Sequence, residues 1–151
     1  MNRAARSAVV HLLAVVAYLC AAAGLPAAEP KPQAQQLIDR GLAFLKSQQK
    51  EDGGWQRPNE PPGVTAIVLR AFVADSSHDA STDFVRRGYE KLFSYQQPNG
   101  GIYQDMLANY NTSIAISAMA AAEEPAFRER MERAVAFLKR LQYNDRADNA
   151  P

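Results

Sequence analysis

The chain has 151 residues, 47% of them apolar and 22% charged, with seventeen Lys and Arg against sixteen Asp and Glu. One domain fits in this length, and a formal charge of +1 leaves no basic excess to neutralise a phosphate backbone, so nucleic-acid binding is not expected. The apolar share excludes a disordered chain, and eight Gly with nine Pro exclude a collagen-like or low-complexity one.

The first segment reads as a targeting signal. Arg3 and Arg6 precede an apolar run from Ala8 to Ala23, which meets Gly24, Pro26 and Ala27. A run of about 16 residues falls short of the roughly 20 a spanning helix needs, and helix breakers follow it directly. Residues 1–28 are therefore expected to be a signal peptide cleaved between Ala23 and Ala28. Residues 29–151 then form an exported domain, periplasmic or extracellular, without a stable membrane anchor. Cys20 leaves with the signal, and Tyr18 and Leu19 before it do not suit a lipoprotein site.

Removing 1–28 leaves fifteen basic against sixteen acidic side chains, a nearly balanced surface. The remaining part keeps His78 and no thiol, so a zinc set is not available, and neither metal nor cofactor is expected. His78 lies in the polar run Asp75-Ser76-Ser77-His78-Asp79-Ala80-Ser81, which reads as a solvated turn between helices rather than as a catalytic site.

Internal repetition carries the most information. A shift of 47 residues over Ile38 to Ala74 aligns eleven identities in 37 positions. Arg40, Gly41, Leu45, Ser47, Gln49, Gly53, Gly54, Thr65, Ile67, Ala71 and Ala74 meet the same residues at Arg87, Gly88, Leu92, Ser94, Gln96, Gly100, Gly101, Thr112, Ile114, Ala118 and Ala121. A third copy begins with Arg133, Ala134, Leu138 and Gln142, but Arg146 and Ala147 stand where the paired glycines would be, so the third repeat reads as cut short.

Each unit holds two kinds of helix. The first kind has a single apolar stripe of helical period: Ala34, Leu37, Ile38, Gly41, Leu42, Leu45; then Val85, Gly88, Tyr89, Leu92; then Met131, Ala134, Val135, Leu138, Leu141. These are outer helices. The second kind, Val64 to Ala74 and about Thr112 to Ala122, is apolar or small all round with Arg70 its one charge, which predicts burial on most sides. Asn111 is expected to cap the second inner helix, in preference to serving as a glycosylation site in Asn111-Thr112-Ser113, and Pro125 to open the last outer one. Alternation of the two kinds describes a curved array of helical hairpins or a closed double ring.

At this point the residues resemble a known family. Arg40-Gly41-Leu42-Ala43-Phe44-Leu45-Lys46-Ser47-Gln48-Gln49-Lys50-Glu51-Asp52-Gly53-Gly54-Trp55 is similar to the QW repeat of squalene and hopene cyclases, whose fold the β subunits of protein prenyltransferases share. The second copy keeps Arg87, Gly88, Leu92, Gln96 and Gly100 but has Lys91 at the aromatic position and Ile102 in place of Trp. The resemblance spans about Gln33 to Asp145 and implies an all-α, α/α toroid, here about two and a half hairpins, incomplete at its carboxyl end.

The motif residues Arg40, Gly41, Phe44, Gln49, Gly53, Trp55, Gly88, Gln96, Gly100 and Gly101 are expected to be structural. Gln49 would bond groups freed at the helix end, Gly53 and Gly54 would adopt positive φ, and Trp55 would cover the Gln amide. In such a toroid the loops entering the inner helices rim the central cavity, which makes Trp55, Tyr103 and Tyr110 candidates for holding a hydrophobic small molecule.

No catalytic set is legible. The Asp-x-Asp-Asp acid of the cyclases does not occur, Asp75, Asp79 and Asp83 read as turn and cap residues, and the zinc ligands of the prenyltransferases are missing. Three functions stay open: part of an isoprenoid-handling toroid with its acids outside this chain, a non-catalytic toroid binding a hydrophobic or glycan ligand, and a structural interaction repeat. No turnover is expected of this chain alone, and self-association through the open end of the array is.

Overall fold

The computed structural model describes residues 32–142. The chain divides into two compact units, Met1–Gln36 and Leu37–Pro151. Of the first, only the opening of a helix is described. The signal-peptide reading of 1–28, and the residues Asn144 to Ala147 where the third turn would lie, fall outside the described residues.

The described residues are all-helical: α1 (Pro32–Ser47), α2 (Gly63–Val73), α3 (Asp83–Phe93), α4 (Ala108–Ala121), a 3-10 turn (Pro125–Phe127) and α5 (Arg128–Leu141). The backbone explains these bounds. Pro61 and Pro62 lead into α2, where a fixed φ and a missing N–H cost nothing at a helix start. Leu107 takes a left-handed φ of 56° and turns the chain into α4 four residues earlier than the expected Thr112. Pro125 opens a 3-10 turn instead of the α-helix itself, with Glu124 accepting the Ala126 N–H at 3.1 Å, and α5 follows from Arg128.

The pairing of α2 with α4 is the most extensive, α3 packs on α2, and α5 packs on α4. Leu69, Phe72, Val85, Tyr89, Leu92, Ala115, Ala118 and Ala134 make up the centre of the core. As expected, α2 and α4 are buried or half-buried on most sides, apart from an exposed stripe of Ile67, Arg70 and Ala71 on α2 and of Asn109, Tyr110, Ser113 and Ala120 on α4.

Helices α1 and α3 differ in their cover. On α3, a Cβ added at Gly88 would come within 2.7 Å of Leu69 and 2.8 Å of Trp55. At Gly41, the matching position of α1, a Cβ would meet nothing within 4 Å. Leu37 and Phe44 on the same helix are 63% and 62% exposed, so the motif residue Phe44 is a surface side chain.

Candidate functional site

The two Gly-Gly turns build the region from which a site could be assembled. In the first, Lys50 N–H donates to Gly54 O at 2.9 Å, Gly53 N–H to Lys50 O at 2.9 Å and Gly54 N–H to Asp52 Oδ1 at 3.0 Å. In the second, Gln97 N–H donates to Gly101 O at 2.8 Å, Gly100 N–H to Gln97 O at 2.8 Å and Gly101 N–H to Asn99 Oδ1 at 3.0 Å. Gly53 and Gly100 have φ of 86° and 90°, a conformation that penalises any side chain. Gly54 does not share it, contrary to expectation. Its role and that of Gly101 is close approach: a Cβ at Gly54 would lie 2.8 Å from Gln56 Oε1, and one at Gly101 2.6 Å from Tyr103.

The glutamines also act differently from the expectation. Gln49 Nε2 donates to Gly53 O at 2.8 Å and to Phe84 O in α3 at 2.7 Å, tying its own turn to α3 instead of the end of α1. Gln96 Nε2 donates to Gly100 O at 3.2 Å and to Arg130 O in α5 at 3.1 Å. The threonines, which sequence reasoning noted only as identities, anchor the segment after each turn. Trp55 N–H donates to Thr65 Oγ1 and Ile102 N–H to Thr112 Oγ1, both at 2.9 Å.

The three aromatic candidates are not brought together. Trp55 is buried, its Nε1–H donates to Leu45 O at 2.6 Å, and its ring lies 5.9 Å from Phe72. Its indole N–H thereby satisfies a carbonyl at the end of α1. Tyr103 stacks on Phe137 at 5.6 Å, and its hydroxyl accepts from Asn99 Nδ2 at 2.8 Å. Tyr110 is 53% exposed on α4, near Met106 and Leu107, which are exposed as well.

His78 departs from a simple solvated turn. Around it Asp79 Oδ1 accepts the Ser81 and Thr82 N–H groups, both at 2.9 Å, as expected of turn chemistry. The His78 ring, however, packs edge-on to Phe72 and Phe84 with centroids 5.4 and 5.5 Å away, and Nδ1 lies 3.4 Å from Asp75 Oδ1. It closes one side of a cavity of about 220 Å³ shared with Asp39, Leu42, Lys46 and Asp75. A second cleft, about 350 Å³, lies between the first Gly-Gly turn and the end of α3. Among the described residues, no group of three His, Cys, Asp or Glu side chains is placed to hold a metal, and no helix is long and apolar enough to cross a membrane.

Comparison with protein-family models, curated proteins and solved structures returns no match.

Proposed function

We propose that the chain is an exported array of helical hairpins of the squalene-cyclase and prenyltransferase type, forming part of an α/α toroid whose inner helices α2 and α4 present a wall to a hydrophobic ligand. The role assigned to this stretch is binding, and the catalytic acids of a cyclase-type parent would lie elsewhere. The supporting observation is the pair of bridges from Gln49 and Gln96, each joining its own glycine turn to the next outer helix. Reuse of the same donor atom, the same turn carbonyl and the same step to the next helix is what a chain of stacked, near-identical units requires. The exposed side chains of Ile67 on α2, Met106 and Leu107 just before α4, and Tyr110 on α4 support the wall, since large exposed apolar groups offer apolar contact.

Squalene in a cyclodextrin carrier is a suitable probe. Saturable binding that Ile67→Glu abolishes and Ser76→Glu leaves intact is the expected result. No saturable binding would remove the ligand wall and leave the interaction repeat. That second reading draws on the bare Gly41 face of α1, through which we propose that the chain self-associates.

A further inference from the structure

The cleft between the first Gly-Gly turn and the end of α3 has a counterpart at the second turn, and the two differ in chemistry. At the second, Gln97 Nε2 donates to Tyr103 O at 2.9 Å, and the Tyr103 ring stacks on Phe137 of α5. At the first, the matching positions are Lys50, whose Nζ donates to Gln56 O, and Lys91 of α3, whose Nζ sits 2.9 Å from Asp52 Oδ2 and 5.0 Å from the centroid of the Tyr95 ring. An apolar stack thus closes one junction, while charged groups around an open cleft stand at the other. Closing a turn onto the next helix does not itself require those charges.

The lining is weighted toward positive charge. Lys50, Arg57 and Lys91 face the cleft against the single carboxylate of Asp52. Arg57 stands at the mouth, 83% exposed and 3.5 Å from Glu60, so its guanidinium can swing to an incoming group. The floor is fixed. Gln56 is 6% exposed, its Nε2 donates to Tyr95 Oη at 2.8 Å, and its Oε1 accepts the Thr65 hydroxyl, so the cationic groups surround a preorganised base.

We propose that this cleft is a binding site for a small oxyanion, a phosphate or a carboxylate group, with Lys50, Lys91 and Arg57 as its charge-assisted donors. Three cations on one rim favour such a group by adding direct N–H donors to their field. The comparison of the two junctions rests on the repeat reading given above, whereas the cleft and its charges do not.

Calorimetric titration of the full chain at low ionic strength tests this, with inorganic phosphate in one arm and malonate in the other. One-to-one saturable binding is expected. Saturation by phosphate alone identifies a phosphoryl group, by malonate alone a carboxylate, and by both a general oxyanion site. Lys50→Gln, which installs the residue found at Gln97, and Lys91→Met should each weaken binding about tenfold. Arg57→Gln, at a side chain 83% exposed whose ion pair with Glu60 is a surface one, should weaken it severalfold and so decides the matter even if a lysine variant unfolds. Failure of both anions to saturate, or unchanged affinity in Lys50→Gln and Arg57→Gln, overturns the proposal. Either result leaves squalene binding, and with it the toroid reading, to be judged separately.

Discussion

The side-chain oxygen of Asn111 on α4 accepts the backbone N–H of Gly63, the first residue of α2, across 3.1 Å. Its Nδ2 donates to Met106 O and Leu107 O at 3.0 Å each, so one buried amide satisfies an unpaired N–H of one helix and two carbonyls ahead of another. The expected cap of α4 is in fact a clamp between the starts of two helices. Asn111 is 1% exposed, which withdraws the glycosylation sequon from the folded surface.

Asn111→Ala should cost about 1–3 kcal/mol, because it strands buried polar groups. Gly63→Ala should destabilise too, since its Cβ would sit 2.6 Å from Asn111 Oδ1. The two changes share one contact, so a double-mutant cycle by thermal unfolding should show the pair costing less than the sum. Strict additivity would mean that the clamp does not hold.

The glycines of the repeat should separate into three classes by melting temperature. Gly53→Ala places a side chain at a φ of 86° and 2.5 Å from Arg87 O, a backbone atom that cannot move aside, and should be the most damaging. Gly54→Ala meets the side chains of Gln56, Lys91 and Asp52 and should cost less. Gly41→Ala sits mid-helix in open space and should stabilise the chain by about 0.5–1 kcal/mol. A destabilised Gly41→Ala would show that the α1 face is covered in solution.

Gln49→Glu and Gln96→Glu should differ although the residues match. A carboxylate at 49 loses the donor to Gly53 O and Phe84 O and faces both carbonyls. At 96, Arg130 Nη1 and Arg133 Nη2 each lie 3.1 Å from Oε1 and would pair with the new charge. Gln49→Glu is therefore expected to lose about 1–3 kcal/mol and Gln96→Glu less, read by denaturant midpoint.

Stability should depend on pH through Asp52 and Lys91. The Gly54 N–H, and after it the Lys91 ammonium, hold the Asp52 carboxyl below its ordinary 3.8, while the Asp52 carboxylate raises Lys91 above its ordinary 10.5. The depressed acid contributes stability that is lost as pH falls below about 3.8, and the raised ammonium contributes stability that is lost as pH rises past 10.5. Asp52→Asn, which reproduces Asn99, should flatten the acid arm of a melting-temperature profile and lower the neutral plateau by about what that arm no longer loses. An unchanged acid arm would place the loss on other carboxylates.

Self-association, if it runs through α1, should respond to charge on the bare face. Leu37→Lys with Phe44→Lys should shift light scattering toward the monomer while leaving helical content intact. Equal scattering from both proteins would exclude that face.

Local chemistry made much of the architecture readable from the chain. Apolar residues at helical spacing marked α1, α3 and α5, and α3 buries its stripe, whereas on α1 only Leu42 of that stripe is buried and Leu37 and Ile38 are exposed. The recurrence of Gly-Gly marked the turns because few residues other than glycine tolerate a backbone at φ near 90°, as at Gly53 and Gly100. What these groups bond to lay beyond sequence. Gln49 reaches a carbonyl 35 residues away, and Asn111 an N–H 48 residues away. Nothing in the local pattern distinguishes such partners from nearer ones. Trp55, ahead of α2, and Tyr110, in the first turn of α4, are both aromatic, yet one is sealed against Phe72 and the other stands in solvent. That difference arises only when helices pack, because burial depends on which neighbour fills the space, and a single chain position does not encode its neighbour.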